Sequence, residues 1–169
     1  VYVDNPLSIA CVQAATNNQQ RIVLCPQHAW NYPSTVDDIF TTGTIGEIAQ
    51  VLHMPDGAIH AVIRTTNVVN LSDIEITNGI FSANITPVDI FDDSELEQTI
   101  ALRDKVADAM QTLSANRKFK MDKLRAIITS YPMAAFIDSV IQMTDLDTEI
   151  AVEILKMKTW REKLIALLE

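Results

Sequence analysis

The sequence contains few of the residues from which phosphate-binding loops and nucleic-acid surfaces are built. Its 169 residues include only 4 Gly, and 13 Lys and Arg stand against 22 Asp and Glu, for a net charge of −9. No glycine precedes a Lys-Ser or Lys-Thr pair, so the sequence lacks the motif whose backbone N–H groups and Lys hold nucleotide phosphates. The acidic balance opposes nucleic acid as a partner, because phosphate binding depends on clustered Lys and Arg.

Cysteine and long apolar runs are also scarce. Cys11 and Cys25 are too few for a disulfide framework, so we expect free thiols in a reducing compartment, with a single bridge between them as the alternative. No apolar run approaches the roughly 20 residues of a membrane span, and no signal peptide is visible. We therefore expect a cytoplasmic protein without a membrane partner.

The strongest local signal is a β-hairpin that turns at Asp56-Gly57. Residues 40–71 are rich in β-forming side chains on both sides of this pair. An Asp-Gly pair is typical of a type I′ turn, which needs positive φ at both central positions. On the returning strand, the odd-numbered residues from Ile59 to Ile63 are predicted to share one face. The first strand alternates less strictly, which indicates either a bulge or a twist-driven change of face near Ala49.

Other signals place this hairpin in a β-rich region. Asn78-Gly79 predicts a second tight turn, and Asn5-Pro6 predicts the N-terminus of a short helix. The compact apolar run within 21–25 is typical of a buried strand. About five or six short strands and one early helix within 1–90 indicate a small closed or partly closed antiparallel β-barrel.

The hydrophobic period changes from two to 3.6 near residue 90. Apolar residues then recur at helical spacing in segments that begin near Asp92, Lys120, Pro132, Leu146 and Thr159. The first of these helices is predicted to bury Leu96, Ile100, Val106, Met110 and Leu113. The predicted class is therefore α+β, with a β-rich barrel subdomain over 1–90 and a helical bundle subdomain over 91–169 that leads into an exit helix.

Metal-binding patterns are incomplete. Cys25 and His28 have a C-x-x-H spacing, but a second pair of ligands is missing from the sequence. His53 and His60 are predicted to meet only as neighbours across the hairpin. Ordinary polar or partly buried histidines are therefore favoured over a metal site.

Catalytic patterns are absent as well. The acid pairs at 37–38 and 92–93 precede periodic apolar segments, where adjacent carboxylates usually cap helices. Ser, His and Asp are present without a nucleophile-elbow sequence. We predict no catalytic, cofactor-binding or metal-binding residues in this chain, and a small hydrolase built from scattered Ser, His and Asp is the weaker alternative.

The long loop over 26–40 carries the candidate binding residues. This loop contains two rigid aromatic rings and a proline among polar residues that are typical of loops: Trp30, Tyr32 and Pro33. If the rings are exposed, they offer a large contact area for extended apolar peptide at a small entropic cost. In the alternative, they fold down as a lid over the open end of the barrel and serve stability only.

The hairpin segment resembles the N-terminal domain of the Lon proteases. Gly43-Thr44-Ile45, Gln50-Val51-Leu52 and Met54-Pro55-Asp56-Gly57 are similar to the VGTIA…Q.L.LPDG signature of that family. A weaker likeness extends over almost the whole chain. The sequence departs from the family at Thr65 and Val68, where Gly and Arg are usual, and the family's opening strand has no counterpart before the first residue.

This resemblance implies a PUA-like β-barrel followed by a helical bundle, with a role in substrate recognition for protein quality control. It implies that the domain binds unfolded or damaged proteins and helps to hold a hexamer. ATP-dependent proteolysis, with ATP and Mg and a Ser-Lys endopeptidase, would then belong to downstream parts of the parent protein. The alternative is a stand-alone protein-interaction domain of the same fold without those parts, and an RNA-binding barrel agrees least with the acidic balance.

Overall fold

The computed structural model describes residues 1–28, 35–115 and 131–169. They belong to two compact units, Val1–Val88 and Asp89–Glu169. The helix predicted from Lys120 to Thr129 lies outside the described residues. Those described form one antiparallel five-stranded sheet and five α-helices, which confirms the predicted α+β class.

The first unit is a sheet with one helix against it. Its elements are β1 (Tyr2–Val3), α1 (Pro6–Asn17), β2 (Ile22–Leu24), a 3-10 turn (Val36–Asp38), β3 (Thr42–His53), β4 (Ile59–Thr77) and β5 (Ile80–Pro87). The strand order is β1-β4-β3-β2, and β5 also pairs with β4. Within the described part of the chain, no pairing joins β2 to β1 or β5, so the sheet is open. Because β2 pairs only with β3, it is half-buried at an edge rather than buried as predicted.

Helix α1 begins where the sequence predicts and supplies part of the core. The side chain of Asn5 accepts the backbone N–H of Leu7 at 2.8 Å, and Pro6 occupies the first helical position. Val12 from this helix packs with Ile59 of β4 in a buried cluster. The predicted alternation of β4 is confirmed: Ile59 and Ala61 are buried, whereas His60, Val62 and Arg64 are exposed.

The first hairpin turns at the predicted place but with a different geometry. Gly57 has a φ of +89°, whereas Asp56 is not among the residues with positive φ, so the predicted type I′ turn is wrong. The N–H of Gly57 donates to the carbonyl of Met54 at 3.0 Å, and the N–H of Met54 donates to that of Ala58 at 2.9 Å. These bonds define a three-residue loop in which Pro55 takes the second position of a type I turn, a position that proline favours.

The second hairpin has the geometry that was predicted for the first. Asn78 and Gly79 have φ values of +54° and +74°, and they connect Thr77 directly to its partner Ile80. Two consecutive residues with positive φ are the mark of a type I′ turn. The predicted tight turn at Asn78-Gly79 is therefore confirmed.

Two bulges interrupt the pairing of β3 with β4. The first confirms the prediction at Ala49, since Ile48 and Gln50 pair with consecutive residues of β4 and Ala49 has no partner. The second lies on β4, where Thr66 is the extra residue. The bulge at Ala49 shifts the alternation of backbone groups along β3, and the bulge at Thr66 shifts it along β4.

Replacing Gly57 by Val is expected to lower the free energy of unfolding by roughly 1–3 kcal/mol. An added Cβ would meet nothing within 4 Å, so the cost arises from the φ of +89° and not from a clash. Gly57→Asn is the matched control, because Asn tolerates positive φ better than a β-branched residue. Urea unfolding followed by far-UV circular dichroism measures both, and equal midpoints for the two variants would contradict the turn geometry.

The second unit is helical. Its described helices are α2 (Glu97–Ala115), α3 (Met133–Met143), α4 (Thr148–Lys156) and α5 (Trp160–Ala166). Helices α2, α3 and α5 enclose a buried cluster formed by Val106, Ala107, Met110, Met133, Phe136, Ile137, Val140 and Leu164. The predicted break near Lys158 is confirmed, since α4 ends and α5 begins on either side of it.

The predicted stripe of α2 is only partly correct. Val106 and Met110 are buried as expected, but Thr99 is buried too, with no exposed surface. The helix begins at Glu97, so its buried face follows positions 99, 102, 106 and 110 at helical spacing. The residues that this face leaves exposed, contrary to prediction, are Leu96, Ile100 and Leu113.

Candidate functional site

The three residues predicted to bind substrate lie outside the described residues. Trp30, Tyr32 and Pro33 fall within positions 29–34, between two segments of the first unit that the structure does describe. Their role as a grip or as a lid therefore stays a prediction, and the geometry of the surrounding segments decides how the loop is attached.

The two ends of this loop are bonded to each other. The N–H of His28 donates to the carbonyl of Asp38 at 2.9 Å, and the N–H of Phe40 donates to that of Pro26 at 3.0 Å. Gln27 and Ile39 form the β-bridge between these two bonds. A short antiparallel ladder thus joins residues 26–28 to residues 38–40.

One member of the acid pair in this loop, Asp38, has a structural role. One carboxylate oxygen of Asp38 accepts the N–H of Thr35 at 2.7 Å and its hydroxyl at 3.0 Å. These bonds hold the start of the 3-10 turn, as in a capping box. The predicted capping role of the pair at 37–38 is confirmed for Asp38.

Neither candidate metal pattern forms a ligand set. Burial raises the pKa of the Cys25 thiol to about 11, which opposes the thiolate that a metal would need. The ring of His28 packs on Phe40 with centroids 3.9 Å apart. Within the described ranges, no three His, Cys, Asp or Glu side chains come together in a way that would hold a metal ion.

The two hairpin histidines do not face each other, and that prediction is wrong. His60 lies opposite Leu52 and His53 lies opposite Ile59, so a register offset of one residue separates them. Because adjacent residues of a strand point to opposite faces, the two imidazoles project from opposite sides of the sheet. His60 instead meets Tyr2 of β1, edge to face, with ring centroids 5.2 Å apart.

An exposed apolar surface lies on the same side of the sheet as His60. Tyr2, Leu52 and Val62 are 53%, 51% and 55% exposed, and with His60 they form what we call the hairpin face. The sequence carried the signal, since His60 and Val62 alternate with core residues, but the pairing with Tyr2 and Leu52 depends on the register. The hairpin face is a second candidate contact surface that the sequence argument missed.

The second unit contains a cleft of about 590 Å³. Its lining combines the carboxylates of Glu95 and Asp104 with the guanidinium of Arg103 and the indole of Trp160. Arg103 donates to the carbonyl of Tyr131 at 2.8 Å, and its charge lies 4.9 Å from the centroid of the Phe136 ring. These contacts hold the guanidinium in the structure of the unit, so we assign it a packing role.

The acid pair at 92–93 caps a helix, but a different one from the helix predicted. The carboxylate of Asp93, which is buried, accepts the backbone N–H groups of Trp160 at 2.9 Å and Arg161 at 3.3 Å, at the start of α5. Asp92 accepts the N–H of Ser94 at 3.1 Å and the indole N–H of Trp160 at 3.0 Å. Hydrogen bonds from Ser94 and then Trp160 hold the pKa of Asp92 below its ordinary value. Both carboxylates are occupied by structural bonds.

One buried lysine was not predicted. Lys163 is 3% exposed, and burial lowers its pKa to about 8. The negative charges of Asp138 and Glu162 act in the opposite direction and raise this pKa. Its ammonium donates to the carbonyl of Ile154 at 2.5 Å and to that of Leu155 at 3.0 Å. These carbonyls lie at the end of α4, so the lysine caps that helix.

An open antiparallel sheet with one helix, followed by a helical unit, defines this chain as an α+β protein. Over residues 1–169 the chain matches the model of the ATP-dependent protease La (LON) substrate-binding domain, and it belongs to that family. In the described residues, no helix is long and apolar enough to cross a membrane.

Relatives and solved structures agree with this family. The chain is 24% identical over 165 residues to the Lon protease of Escherichia coli K12, which covers 97% of this chain and 21% of that protein. It is 28% identical over 128 residues to the Lon protease of Haemophilus influenzae, covering 75% and 16%. The N-terminal domain of Mycobacterium avium complex Lon protease superimposes with a TM-score of 0.73 at 16% identity, over 99% of this chain and 86% of that one. The chain thus spans about a fifth of the length of its curated relatives.

Proposed function

We propose that this chain is the N-terminal domain of a Lon-type ATP-dependent protease and that it binds unfolded or damaged protein substrates. The family match over the whole chain carries the proposal. In this proposal the domain acts in the cytoplasm and supports assembly of a hexamer. ATP hydrolysis with Mg, and peptide cleavage by a Ser-Lys endopeptidase, are assigned to the rest of the parent protein.

The exposed apolar groups support this role. Unfolded proteins share no sequence, so a surface that selects them depends on apolar and aromatic contact that is weak for each segment. The hairpin face supplies such groups, and Trp30 and Tyr32 are two further aromatic residues of the 26–40 loop.

A titration tests the proposal directly. Fluorescently labelled casein, and a carboxymethylated protein beside its native form, are added to the chain while anisotropy is recorded. We expect saturable binding of the unfolded forms and at least tenfold weaker binding of the native form. Equal affinity for both forms would contradict the proposal. The chain alone is expected neither to hydrolyse ATP nor to cleave casein.

Replacing Trp30 and Tyr32 together by Ala is expected to weaken binding of the unfolded protein by roughly 1–3 kcal/mol, as for aromatic anchors in other interfaces. The matched control is the pair Phe91→Ala and Tyr131→Ala, which removes two exposed aromatic rings from the second unit. If the rings form a lid, the Trp30 and Tyr32 variant loses thermal stability and keeps its affinity per folded molecule. Melting curves recorded beside the titration separate these outcomes.

A further inference from the structure

Two carboxylates in the cleft of the second unit have no partner in the described part of the chain. They belong to Glu95 and Asp104, which are exposed and line this cleft of about 590 Å³. The third carboxylate in the lining, that of Asp92, is bonded to the indole N–H of Trp160 at 3.0 Å. The side chains of Glu95 and Asp104 are therefore the ones that can bind an added group.

The cleft as a whole is negatively charged. Asp92, Glu95 and Asp104 contribute three negative charges, and Arg103 contributes one positive charge, which leaves a net charge of −2. A concave site lined by one sign of charge concentrates ligands of the opposite sign. Cationic ligands are therefore favoured, and this attraction weakens as salt is added.

The rest of the lining is largely apolar and consists of Ile100, Pro132, Met133, Ala134 and Trp160. Ile100 is 45% exposed, so part of its aliphatic surface is in contact with water. Burial of that surface against a partner is favourable. An indole ring also attracts a cation over its face. The lining therefore suits a ligand that carries apolar and cationic groups side by side.

We propose that this cleft, which we call the acidic cleft, binds a short basic and apolar segment of an unfolded protein. The inference rests on the proposed function and names a class of substrate segment. The volume falls within the range of about 300–1,000 Å³ that is usual for pockets, so the cleft accommodates a few side chains. Because apolar side chains are mostly buried in folded proteins, a segment that offers them beside Lys or Arg is more accessible in an unfolded chain.

The charge of the acidic cleft disfavours two other occupants. A second copy of the chain carries a net charge of −9, so its approach to a negatively charged cleft is opposed. A nucleic acid is opposed for the same reason, because its phosphates bind to clustered Lys and Arg. A basic segment of another protein meets neither obstacle.

Removal of the two partnerless carboxylates tests the role of charge. The probe is a labelled seven-residue peptide of alternating Leu and Lys, titrated at low ionic strength while anisotropy is recorded. Glu95→Gln combined with Asp104→Asn is expected to weaken binding about three- to tenfold, since an exposed ion pair changes an affinity by up to about fivefold.

The matched control removes the same charge from another part of the second unit. Asp108→Asn combined with Glu149→Gln changes two exposed acids that do not line the cleft. This control is expected to change the affinity less than about twofold, because exposed charges at a distance are largely screened. Equal losses for the two double variants would mean that overall charge alone attracts the peptide, and the inference would then be wrong.

A single substitution tests the apolar part of the lining. Ile100→Ser is expected to weaken binding of the Leu-Lys peptide at least about threefold, because less apolar surface is buried. Leu113→Ser is the matched control, since Leu113 is 57% exposed on the same helix and lies about 20 Å further along its axis. Equal affinities of these two variants would contradict the inference. If Ile100→Ser fails to fold, the two charge variants still decide.

Three peptides of equal length test the class of segment. Alternating Leu-Glu and alternating Ser-Lys peptides are each expected to bind at least about tenfold more weakly than the Leu-Lys peptide, since each lacks one of the two kinds of group that the lining favours. A Ser-Lys peptide that binds as tightly as the Leu-Lys peptide would exclude an apolar contribution. A Leu-Glu peptide that does so would exclude the charge. Either result would overturn the inference.

Parallel titrations separate this inference from the proposed function. If unfolded casein binds the chain while the cleft variants and their controls bind the Leu-Lys peptide equally, the acidic cleft is excluded and the proposed function stands. If neither casein nor the carboxymethylated protein binds, the proposed function itself is contradicted. The same titrations of the full-length gene product are expected to give the same order of affinities, and a loss of the difference between the two double variants there would overturn the acidic cleft.

Discussion

The Phe136→Ala variant is expected to unfold with a free energy about 3–5 kcal/mol lower than that of the parent chain. The Phe136 side chain is 1% exposed and lies in the buried cluster that joins α2, α3 and α5. Its removal leaves a cavity that the surrounding helices fill only in part, and it also removes the ring over which Arg103 packs. Urea unfolding followed by far-UV circular dichroism measures the loss.

The matched control is Phe91→Ala, the same change at a side chain that is 69% exposed. Its effect on unfolding is expected to stay within about 0.5 kcal/mol, as for most surface substitutions. Similar losses for the two variants would contradict the assignment of Phe136 to the core. The comparison also tests whether the second unit folds around α3, which contributes four of the eight buried residues in its cluster.

The two hairpins show how far turn chemistry predicts a fold. Asn78-Gly79 and Asp56-Gly57 both locate a turn correctly, because Gly at a position of positive φ is a local requirement. Only Asn78-Gly79 forms a type I′ turn. At Asp56-Gly57, the preceding Pro55 favours the second position of a type I turn, so a residue outside the dipeptide decides the geometry.

The helical unit shows the limit of periodicity. Val106 and Met110 were identified from spacing, but the phase of the buried stripe depends on where the helix begins. Sequence placed that start at the acid pair, whereas the helix begins at Glu97. The carboxylate of Asp93 bonds to the start of α5. A contact across 67 positions of sequence cannot be read from a local pattern.

The candidate site was predictable to the same local extent. The aromatic pair in the 26–40 loop was identified from the sequence alone, because it is a feature of local composition. The hairpin face depends on which residues of β1, β3 and β4 lie opposite one another. Register is a tertiary property, so only the alternation within β4 was available beforehand.

The Asp93→Ala variant is expected to lose about 3 kcal/mol of stability, because each hydrogen bond to a charged group contributes about 1.5–3 kcal/mol. The buried carboxylate of Asp93 accepts two backbone N–H groups at the start of α5, and Ala would leave both donors without it. Asp93→Asn keeps an acceptor oxygen without the charge, so its loss is expected to be intermediate.

The adjacent Asp92→Ala is the matched control, since that carboxylate is exposed and bonds the Trp160 indole at the surface. Urea unfolding followed by far-UV circular dichroism measures the stability of all three variants. A loss of stability that is largest for Asp93→Ala, smaller for Asp93→Asn and smallest for Asp92→Ala would support Asp93 as the cap of α5. An Asp92→Ala variant less stable than Asp93→Ala would contradict that role.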